Sequence, residues 1–371
     1  MTKGATFSGK RRIVLVSGAR PNLMKIAPVA RALRKRERFV VRLLHTGQHY
    51  DDEMSHRFFR ELGLERPDAD LGVGSLPHAR QTATIMERFD AFLDDEGADL
   101  VVVVGDVNST IACALTAVKR GVLVAHVEAG LRSYDREMPE EINRVLTDQI
   151  AHFLFTTERS AEENLRREGI EPERIFFVGN VMVDTLLANR ERALAGSRIT
   201  KRGPGGYGLV TLHRPSNVDR EEDLRLLTGV LEECAASLPL VFPIHPRTRE
   251  RLERFGLLRT LMENPAIEAL PPQGYLAFLR LLSEARVVLT DSGGIQEETT
   301  ALGIPCITLR ENTERPITVE QGTNVVCGRD RGKILSAMDE AIAGRVKSGR
   351  IPEKWDGRAA ERIADILDKK I

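Results

Sequence analysis

Cysteine is scarce in this sequence of 371 residues, and the few that occur follow no recognisable pattern. The four cysteines are Cys113, Cys234, Cys306 and Cys327. They form no CxxC pair and no other ligand spacing, which argues against a disulfide framework and against a zinc site. We therefore expect all four to be small core residues.

An excess of one charge and long apolar runs are also missing. The chain has 54 basic and 54 acidic side chains, so it lacks the basic surface that nucleic-acid and anionic-membrane binders usually have. Its longest apolar runs, such as residues 100–104, are far shorter than the ~20 residues that span a bilayer. Residues 1–12 are polar and basic, and the apolar run after them stops at Ser17, too early for a signal-peptide core. We expect a cytoplasmic protein without nucleic-acid or membrane partners.

The fingerprints of common cofactor and metal sites are absent as well. The chain contains neither GxGxxG nor GxxxxGKS/T, so neither a dinucleotide site nor a P-loop is indicated. His45, His49 and His56 lie near Asp51 and Asp52, but there is no HExxH motif and no pattern for a third ligand. We predict no cofactor and no metal ion.

The sequence does contain an alternation of short Val-, Ile- and Leu-rich runs with longer amphipathic segments, which is typical of an α/β fold with parallel sheets. At roughly 100–200 residues per domain, the length favours two domains. The predicted strands of the first half are 13–17, 40–46, 100–105, 122–127, 153–156 and 175–178. Those of the second half are 208–212, 240–244, 267–270, 287–290, 306–309 and 324–326.

A polar segment, residues 189–208, separates the two sets of strands and contains the run KRGPGG at 201–206. This composition is typical of a linker. We place the boundary near residue 190, which gives two Rossmann-like domains, 1–190 and 191–371. The last segment, about 355–371, has a helical apolar spacing that fits packing on either domain.

Acidic residues end corresponding strands in the two halves. Asp106 follows the run VVVVG and Asp291 follows RVVLT, and each run leads into a helix and then another strand. Open parallel sheets bind ligands at the carboxyl ends of their strands. We expect two such edges that face each other across one cleft.

The segment DSGGIQEE at 291–298 follows a predicted strand and opens a helix. Gly293 and Gly294 would let backbone N–H groups approach a phosphate at the positive helix end. Glu298, one turn later, could accept hydrogen bonds from ribose hydroxyls. The alternative is a helix that Ser292 merely caps, with the glycines making a tight turn.

Three carboxylates, Asp106, Glu128 and Glu140, follow neighbouring predicted strands. Carboxylates that share a cleft raise one another's pKa, which suits general acids and bases near neutral pH. The alternative assigns each a structural role. Asp106 would cap a helix that begins near Ser109, and Glu140 would pair with Arg144 on a solvated helix face.

Basic and aromatic residues occur at the same predicted edges. Candidates for binding a diphosphate are Arg20, Lys25, His213, Arg214 and Arg315, because arginine can hold phosphate oxygens in a bidentate manner. Near the start of a further helix, Phe278 could cover a uracil while Gln273 hydrogen-bonds its edge. Core packing accounts for Phe278 equally well.

Taken together, these residues resemble the non-hydrolysing UDP-N-acetylglucosamine 2-epimerases, a family with the two-domain GT-B fold. The matching segments span most of the chain in order. They are GARPNLMKIAP at 18–28, TGQH at 46–49, GD at 105–106 with Ser109 and Thr110, HVEAGLR at 126–132, PEEINR at 139–144, LHR at 212–214, HP at 245–246, TDSGGIQEE at 290–298 and TERP at 313–316.

The resemblance implies cofactor-free interconversion of UDP-N-acetylglucosamine and UDP-N-acetylmannosamine through elimination of UDP, 2-acetamidoglucal and re-addition. Chemistry agrees, because no carbonyl acidifies the C2 proton and no nicotinamide fingerprint supports oxidation. Elimination needs carboxylates that remove and return a proton, together with stabilisation of the departing diphosphate.

The resemblance also implies roles for particular residues. First-half carboxylates would act on the sugar and second-half motifs would hold UDP. The catalytic candidates are Asp106, Glu128, Glu140 and His213. The substrate-binding candidates are Arg20, Lys25, Arg144, Gln273, Phe278, Ser292, Gly293, Gly294, Glu298 and Arg315.

The resemblance further implies a homodimer that serves cell-surface polysaccharide biosynthesis. Gln48 and His49 match the site at which a second UDP-N-acetylglucosamine activates bacterial members, whereas Asp51 departs from that pattern. Asn22 replaces the acid found in many relatives.

Four other functions remain open at this point. Related epimerases act on a UDP-2,3-diacetamido uronic acid, and a GT-B glycosyltransferase would use the same nucleotide site. A hydrolysing epimerase would release free N-acetylmannosamine, and a non-catalytic sensor would only bind the nucleotide sugar.

Overall fold

The computed structural model describes residues 9–47, 59–345, 347 and 349–371. The chain divides into two compact units, Met1–Thr185 with Glu353–Ile371, and Leu186–Pro352. The division after Thr185 lies inside a helix, a few residues before the predicted boundary near residue 190. No helix among the described residues is long and apolar enough to cross a membrane.

The N-terminal unit is built on a parallel sheet of seven strands in the order β3-β2-β1-β4-β5-β6-β7. All six strands predicted for this half are present. The short β3 was missed because two residues carry no periodic signal. The strands are β1 Arg11–Ser17, β2 Phe39–His45, β3 Ala69–Asp70, β4 Leu100–Val104, β5 Leu123–Ala129, β6 Phe153–Thr156 and β7 Ile175–Phe177.

Helices cover this sheet, and every residue of β4 is buried, as the continuous apolar run of a central parallel strand indicates. The helices are α1 Arg20–Arg34, α2 His78–Glu96, α3 Asn108–Lys119, α4 Pro139–Ile150, α5 Arg159–Arg167 and α6 Val181–Ala195.

The end of the chain returns to the N-terminal unit. Its helix, Ala359–Lys370, packs against α1. Just before this helix, the buried Trp355 donates its ring N–H to the carbonyl of Thr157 at 3.0 Å. The sequence left the position of this segment open, and these contacts assign it to the N-terminal unit.

The C-terminal unit has a parallel sheet of six strands in the order β10-β9-β8-β11-β12-β13, and all six were predicted. The strands are β8 Gly208–Thr211, β9 Leu240–Pro243, β10 Ile267–Leu270, β11 Val287–Thr290, β12 Cys306–Thr308 and β13 Asn324–Val326. The helices are α7 Pro215–Val218, α8 Glu221–Ser237, α9 Pro246–Arg254, α10 Leu258–Glu263, α11 Tyr275–Glu284, α12 Gly293–Leu302, α13 Pro316–Glu320, α14 Arg331–Ile342 and, in the N-terminal unit, α15 Ala359–Lys370.

The strand order reverses once in each sheet, between β1 and β4 and between β8 and β11. Such switch points leave a crevice at the carboxyl ends of the strands, where α/β proteins bind ligands. The loops that follow β1, β4 and β5 therefore form one candidate site region. Those that follow β8 and β11 form another. The four cysteines are buried and unpaired, as predicted.

Candidate functional site

Gly105 lies directly after β4, next to several of the candidate residues of the N-terminal unit. Its φ is +65°, and a Cβ added there would lie 3.1 Å from Lys25 Nζ and 3.6 Å from Glu128 Oε2. Lys25 and Glu128 form a largely buried ion pair. A glycine is therefore required for the backbone to pass this close to the pair.

Glu128 adopts a backbone conformation that is uncommon for a residue with a side chain. Its φ is +72°, and the pairing of β5 with β6 shifts register between Val127 and Ala129. A left-handed non-glycine residue is strained and persists only where its surroundings hold it. Strain of this kind clusters at functional sites, and here it turns a buried carboxylate toward Lys25.

Asp106 is held by Arg144, and both structural alternatives for the carboxylates are wrong. Arg144 Nη2 lies 2.5 Å from Asp106 Oδ2, and its Nη1 lies 2.6 Å from Glu141 Oε2. The residue that precedes α3 as its cap is Val107, without a side-chain hydrogen bond, so Asp106 does not cap that helix. Arg144 pairs with Asp106 and Glu141 rather than with Glu140.

Glu140 is the second residue of α4 and is half-buried. Within the described part of the chain it makes no hydrogen bond and no ion pair. Its neighbour Asn143 donates to the backbone carbonyl of Asp106 at 2.9 Å, which ties the start of α4 to the end of β4. Glu140 thus presents a carboxylate beside this edge that has no partner among the described residues.

Sequence reasoning noted Asn22 as a departure from many relatives but missed its structural role, which is to join two of these loops. Its side-chain oxygen accepts the N–H of Ala19 at 2.9 Å, and its amide nitrogen donates to the Val104 carbonyl at 3.2 Å. A glutamate or aspartate at this position could not make the second bond, because a carboxylate only accepts. Asn22 lies three residues after Ala19, the helix-capping residue, and this spacing could have indicated a hydrogen bond back to the start of the helix.

In the C-terminal unit, Asp291 organises the loop that carries His213. Its carboxylate accepts the backbone N–H groups of His213 and Arg214 at 3.0 and 2.9 Å and the amide of Asn217 at 3.2 Å. His213 Nδ1 lies 2.9 Å from the same carboxylate. Burial would raise the pKa of Asp291, but these partners hold the pKa below its ordinary value. His213 is thereby fixed with its ring half-exposed.

The first turn of α12 carries the two glycines of the predicted phosphate site, and Gly293 is buried. Ser292 occupies the helix-capping position that its alternative role requires, but its side chain makes no capping hydrogen bond. A Cβ added at Gly293 would lie 2.9 Å from Glu314 Oε1. No sequence pattern indicated this contact, although Glu314 belongs to the matched TERP segment.

Glu314 is the anion of an arginine cluster. Burial would raise the pKa of Glu314, but Arg315, Arg310 and Arg214 lower the pKa to about 2. Arg310 Nη1 lies 2.7 Å and Arg214 Nη2 3.4 Å from its oxygens. The cluster places several guanidinium groups beside the N-terminus of α12.

Glu298 lies on α12, and Arg315, the residue before α13, contacts the same helix through Glu297. Burial and the neighbouring Glu297 raise the pKa of Glu298 to about 8, and its Oε1 has no hydrogen-bond partner among the described residues. Arg315 Nε lies 2.8 Å from Glu297 Oε1. A buried oxygen without a partner costs free energy unless a ligand completes it.

Gln273 and Phe278 lie after β10 and in the first turns of α11. Both are half-buried, and Gln273 Nε2 donates to the Pro271 carbonyl at 2.6 Å. Phe278 is thus no core residue of the kind that its alternative role requires.

The side chains of three predicted site residues are outside the described part of the structure. Arg20 is the first residue of α1, and its side chain is not described. Gln48 and His49 lie outside the described residues. In the part of the chain that is described, no group of three His, Cys, Asp or Glu residues could hold a metal ion.

The chain is similar to known proteins along most of its length. The family model described as UDP-N-acetylglucosamine 2-epimerase matches residues 31–368. The UDP-N-acetylglucosamine 2-epimerase of Methanocaldococcus jannaschii is 43% identical over 366 residues, which cover 96% of this chain and 98% of that protein. The UDP-2,3-diacetamido-2,3-dideoxy-D-glucuronate 2-epimerase of Pseudomonas aeruginosa is 38% identical, with 96% of this chain and 99% of that protein covered.

A solved structure agrees. The crystal structure of the Methanocaldococcus jannaschii enzyme in complex with UDP-GlcNAc and UDP matches with a TM-score of 0.88 at 42% identity, covering 96% of this chain and 99% of that one. The predicted fold class, two doubly wound parallel-sheet domains of the GT-B type, is confirmed. The predicted resemblance is confirmed as well.

Proposed function

Because the chain belongs to the UDP-N-acetylglucosamine 2-epimerase family, we propose that it interconverts UDP-N-acetylglucosamine and UDP-N-acetylmannosamine by inversion at C2. The observation that carries the proposal is the group of three carboxylates at the carboxyl edge of the N-terminal sheet. Asp106 and Glu128 are each held by a cation, and Glu140 has no partner in the described chain.

The reaction follows from the chemistry of C2. A carboxylate removes the C2 proton, the electron pair forms the C1–C2 double bond, and the C1–O bond breaks with its electrons leaving on UDP. The resulting 2-acetamidoglucal then receives a proton at C2 from the opposite face, while a UDP oxygen adds back to C1. No atom is gained or lost, and no redox cofactor takes part.

The N-terminal residues suit the proton transfers. Asp106, Glu128 and Glu140 are the acid and base candidates, and the two faces of C2 require two separate groups. Arg144 and Lys25 fix the orientation of Asp106 and Glu128, which keeps each carboxylate in place during proton transfer.

The C-terminal residues suit the nucleotide. The first turn of α12, with Ser292, Gly293 and Gly294, would bind the diphosphate through backbone N–H groups. His213 and Arg315 would stabilise the negative charge that develops on departing UDP.

The remaining contacts concern the nucleoside. The uncompleted oxygen of Glu298 would accept a hydrogen bond from ribose, and Gln273 and Phe278 would bind uracil. Arg20 of the N-terminal unit is proposed as a further nucleotide contact. Apart from Arg20, the proposed nucleotide contacts belong to the predicted domain 191–371, and the proposed acid and base groups belong to the predicted domain 1–190.

We also propose a cytoplasmic homodimer that supplies a sugar nucleotide for cell-surface polysaccharide. Ile142 and Leu146, one turn apart on α4, are 49% and 50% exposed, which supports self-association through this helix. Light scattering of the purified protein tests the dimer. Gln48 and His49 are proposed as residues of an activator site.

A second substrate is favoured by one observation. The Pseudomonas aeruginosa relative, named for a UDP-2,3-diacetamido uronate, is nearly as similar to this chain as the UDP-N-acetylglucosamine enzyme. Both substrates share UDP and the reacting C2, so the same residues would serve either one.

Product analysis tests the proposal. The protein is incubated with UDP-N-acetylglucosamine, or with the diacetamido uronate, and the products are identified by proton NMR. We expect UDP-N-acetylmannosamine in equilibrium with substrate. Free N-acetylmannosamine would select the hydrolysing reaction, and UDP release that depends on an added acceptor would select a transferase. Binding of UDP by Asp106→Asn without turnover would exclude a sensor.

A further inference from the structure

His126 on β5 is completely buried between two hydrogen-bond acceptors. Its Nδ1 lies 2.6 Å from Asp148 Oδ1 and its Nε2 lies 2.8 Å from the backbone oxygen of Gly105. A carbonyl oxygen can only accept a hydrogen bond. Nε2 must therefore carry a proton and donate it to Gly105.

Asp148 is fixed as an ionised acceptor on the other side of the ring. Its second oxygen lies 2.7 Å from Arg132 Nη1 and accepts the N–H of Gly130 at 3.1 Å. Burial would raise the pKa of Asp148, but His126 and Arg132 hold the pKa below its ordinary value. Arg132 is held in turn by both oxygens of Glu168. Nδ1 of His126 therefore donates as well, and the ring cannot turn without breaking a buried bond.

The carbonyl that His126 holds belongs to the peptide between Gly105 and Asp106. The N–H of the same glycine donates to the Val127 carbonyl at 3.1 Å. Gly105 also lies against the ion pair of Lys25 and Glu128. Both peptides of Gly105 are thus anchored to β5, which fixes the backbone from which Asp106 projects.

We propose that His126 is a positioning residue for the epimerisation, because it aligns the Gly105–Asp106 peptide with Glu128 through its Nε2 hydrogen bond. The inference rests on the proposed function. The ring acts through the geometry of its two hydrogen bonds.

Two substitutions separate positioning from stability, because each keeps one of the two bonds. His126→Asn retains an amide N–H near the place of Nδ1, so it can still donate to Asp148, but it does not reach Gly105. His126→Gln reaches the Gly105 carbonyl with its amide N–H but leaves Asp148 with one donor fewer. Turnover, KM and thermal unfolding are measured for both variants beside the wild type.

We expect turnover and thermal stability to rank the two variants in opposite orders. His126→Asn should lose about 10²-fold in kcat, the cost of a small misplacement of reacting groups, with KM changed less than about threefold because UDP contacts other residues. His126→Gln should be the less stable protein, because a buried charged acceptor loses a donor, yet it should keep kcat within about fivefold of wild type. A kcat that falls in the same order as stability would overturn the proposal.

A further measurement uses only the wild-type protein, so it depends neither on whether the variants fold nor on enzyme activity. In protein labelled with ¹⁵N-histidine, a ring protected from solvent exchange should carry protons on both nitrogens. A protected ring without a proton on Nε2 would overturn the proposal, because it could not hold the Gly105 carbonyl. Absence of epimerisation by the wild type would instead refute the proposed function.

Discussion

Substitution of Gly105 by alanine should damage catalysis far more than folding. The backbone there has φ +65°, a left-handed conformation that costs a residue with a Cβ about 1–2 kcal/mol. The new Cβ would also lie 3.1 Å from Lys25 Nζ, tighter than ordinary contact. The flexible lysine end would move, and the buried pair with Glu128 would shift by a few tenths of an ångström. We expect about 10²-fold lower kcat.

Gly121→Ala is the matched control for this substitution. Gly121 lies in the turn between α3 and β5 with φ +71°, and no heavy atom lies within 4 Å of an added Cβ. Its backbone penalty should therefore be the same, about 1–2 kcal/mol, without any effect on the ion pair. Urea denaturation measures the stability of both variants, and the rate of interconversion measured by NMR gives their activity.

One outcome of this comparison would contradict the prediction for Gly105. If Gly105→Ala and Gly121→Ala lose the same stability and the same activity, the contacts of Gly105 with Lys25 and Glu128 do not matter for turnover. The reasoning from that close approach would then be refuted.

Three further predictions concern single side chains. The folded-state pKa of Glu298 is about 8, above the ordinary value of 4.5, so the folded protein binds an extra proton between these values and its stability should fall as pH rises from about 5 to 8. Urea denaturation across this range should show a smaller fall in unfolding free energy for Glu298→Gln than for the wild type. An equal fall in both proteins would contradict the raised pKa of Glu298. Glu140→Gln should abolish turnover while unfolding free energy stays within about 0.5 kcal/mol, since Glu140 has no partner in the described chain; retained turnover would remove it from the mechanism. Asn22→Asp should cost about 1–3 kcal/mol, because a carboxylate oxygen would face the Val104 carbonyl, and unchanged stability would argue against that bond.

Most of the fold could be predicted because parallel strands in α/β proteins are continuous apolar runs. The strand 100–104 is an example, since five consecutive aliphatic residues have no other plausible place than the centre of a sheet. The sequence also placed Asp106 and Asp291 at the carboxyl ends of strands, and the structure has them just after β4 and β11. The two residues of β3 and the division inside α6 could not be read from composition, because tertiary contacts decide both.

The site was predicted less completely, since the pairing of side chains depends on three-dimensional distance. The sequence suggested a pair between Glu140 and Arg144 by helical spacing, whereas Arg144 reaches across to Asp106. Neither the left-handed backbone of Glu128 nor its ion pair with Lys25 produces a periodic pattern in the sequence. The function of His126 was equally hidden, because a histidine within a strand usually packs in the core.

The most direct test of the account is the fate of the C2 hydrogen in D2O. Removal of the C2 proton by a carboxylate, followed by its return from solvent, predicts that UDP-N-acetylglucosamine recovered from an incubation with enzyme carries deuterium at C2. The label should be lost in Asp106→Asn, which still binds UDP. An epimerised product pool that retains its original hydrogen at C2 would contradict the account.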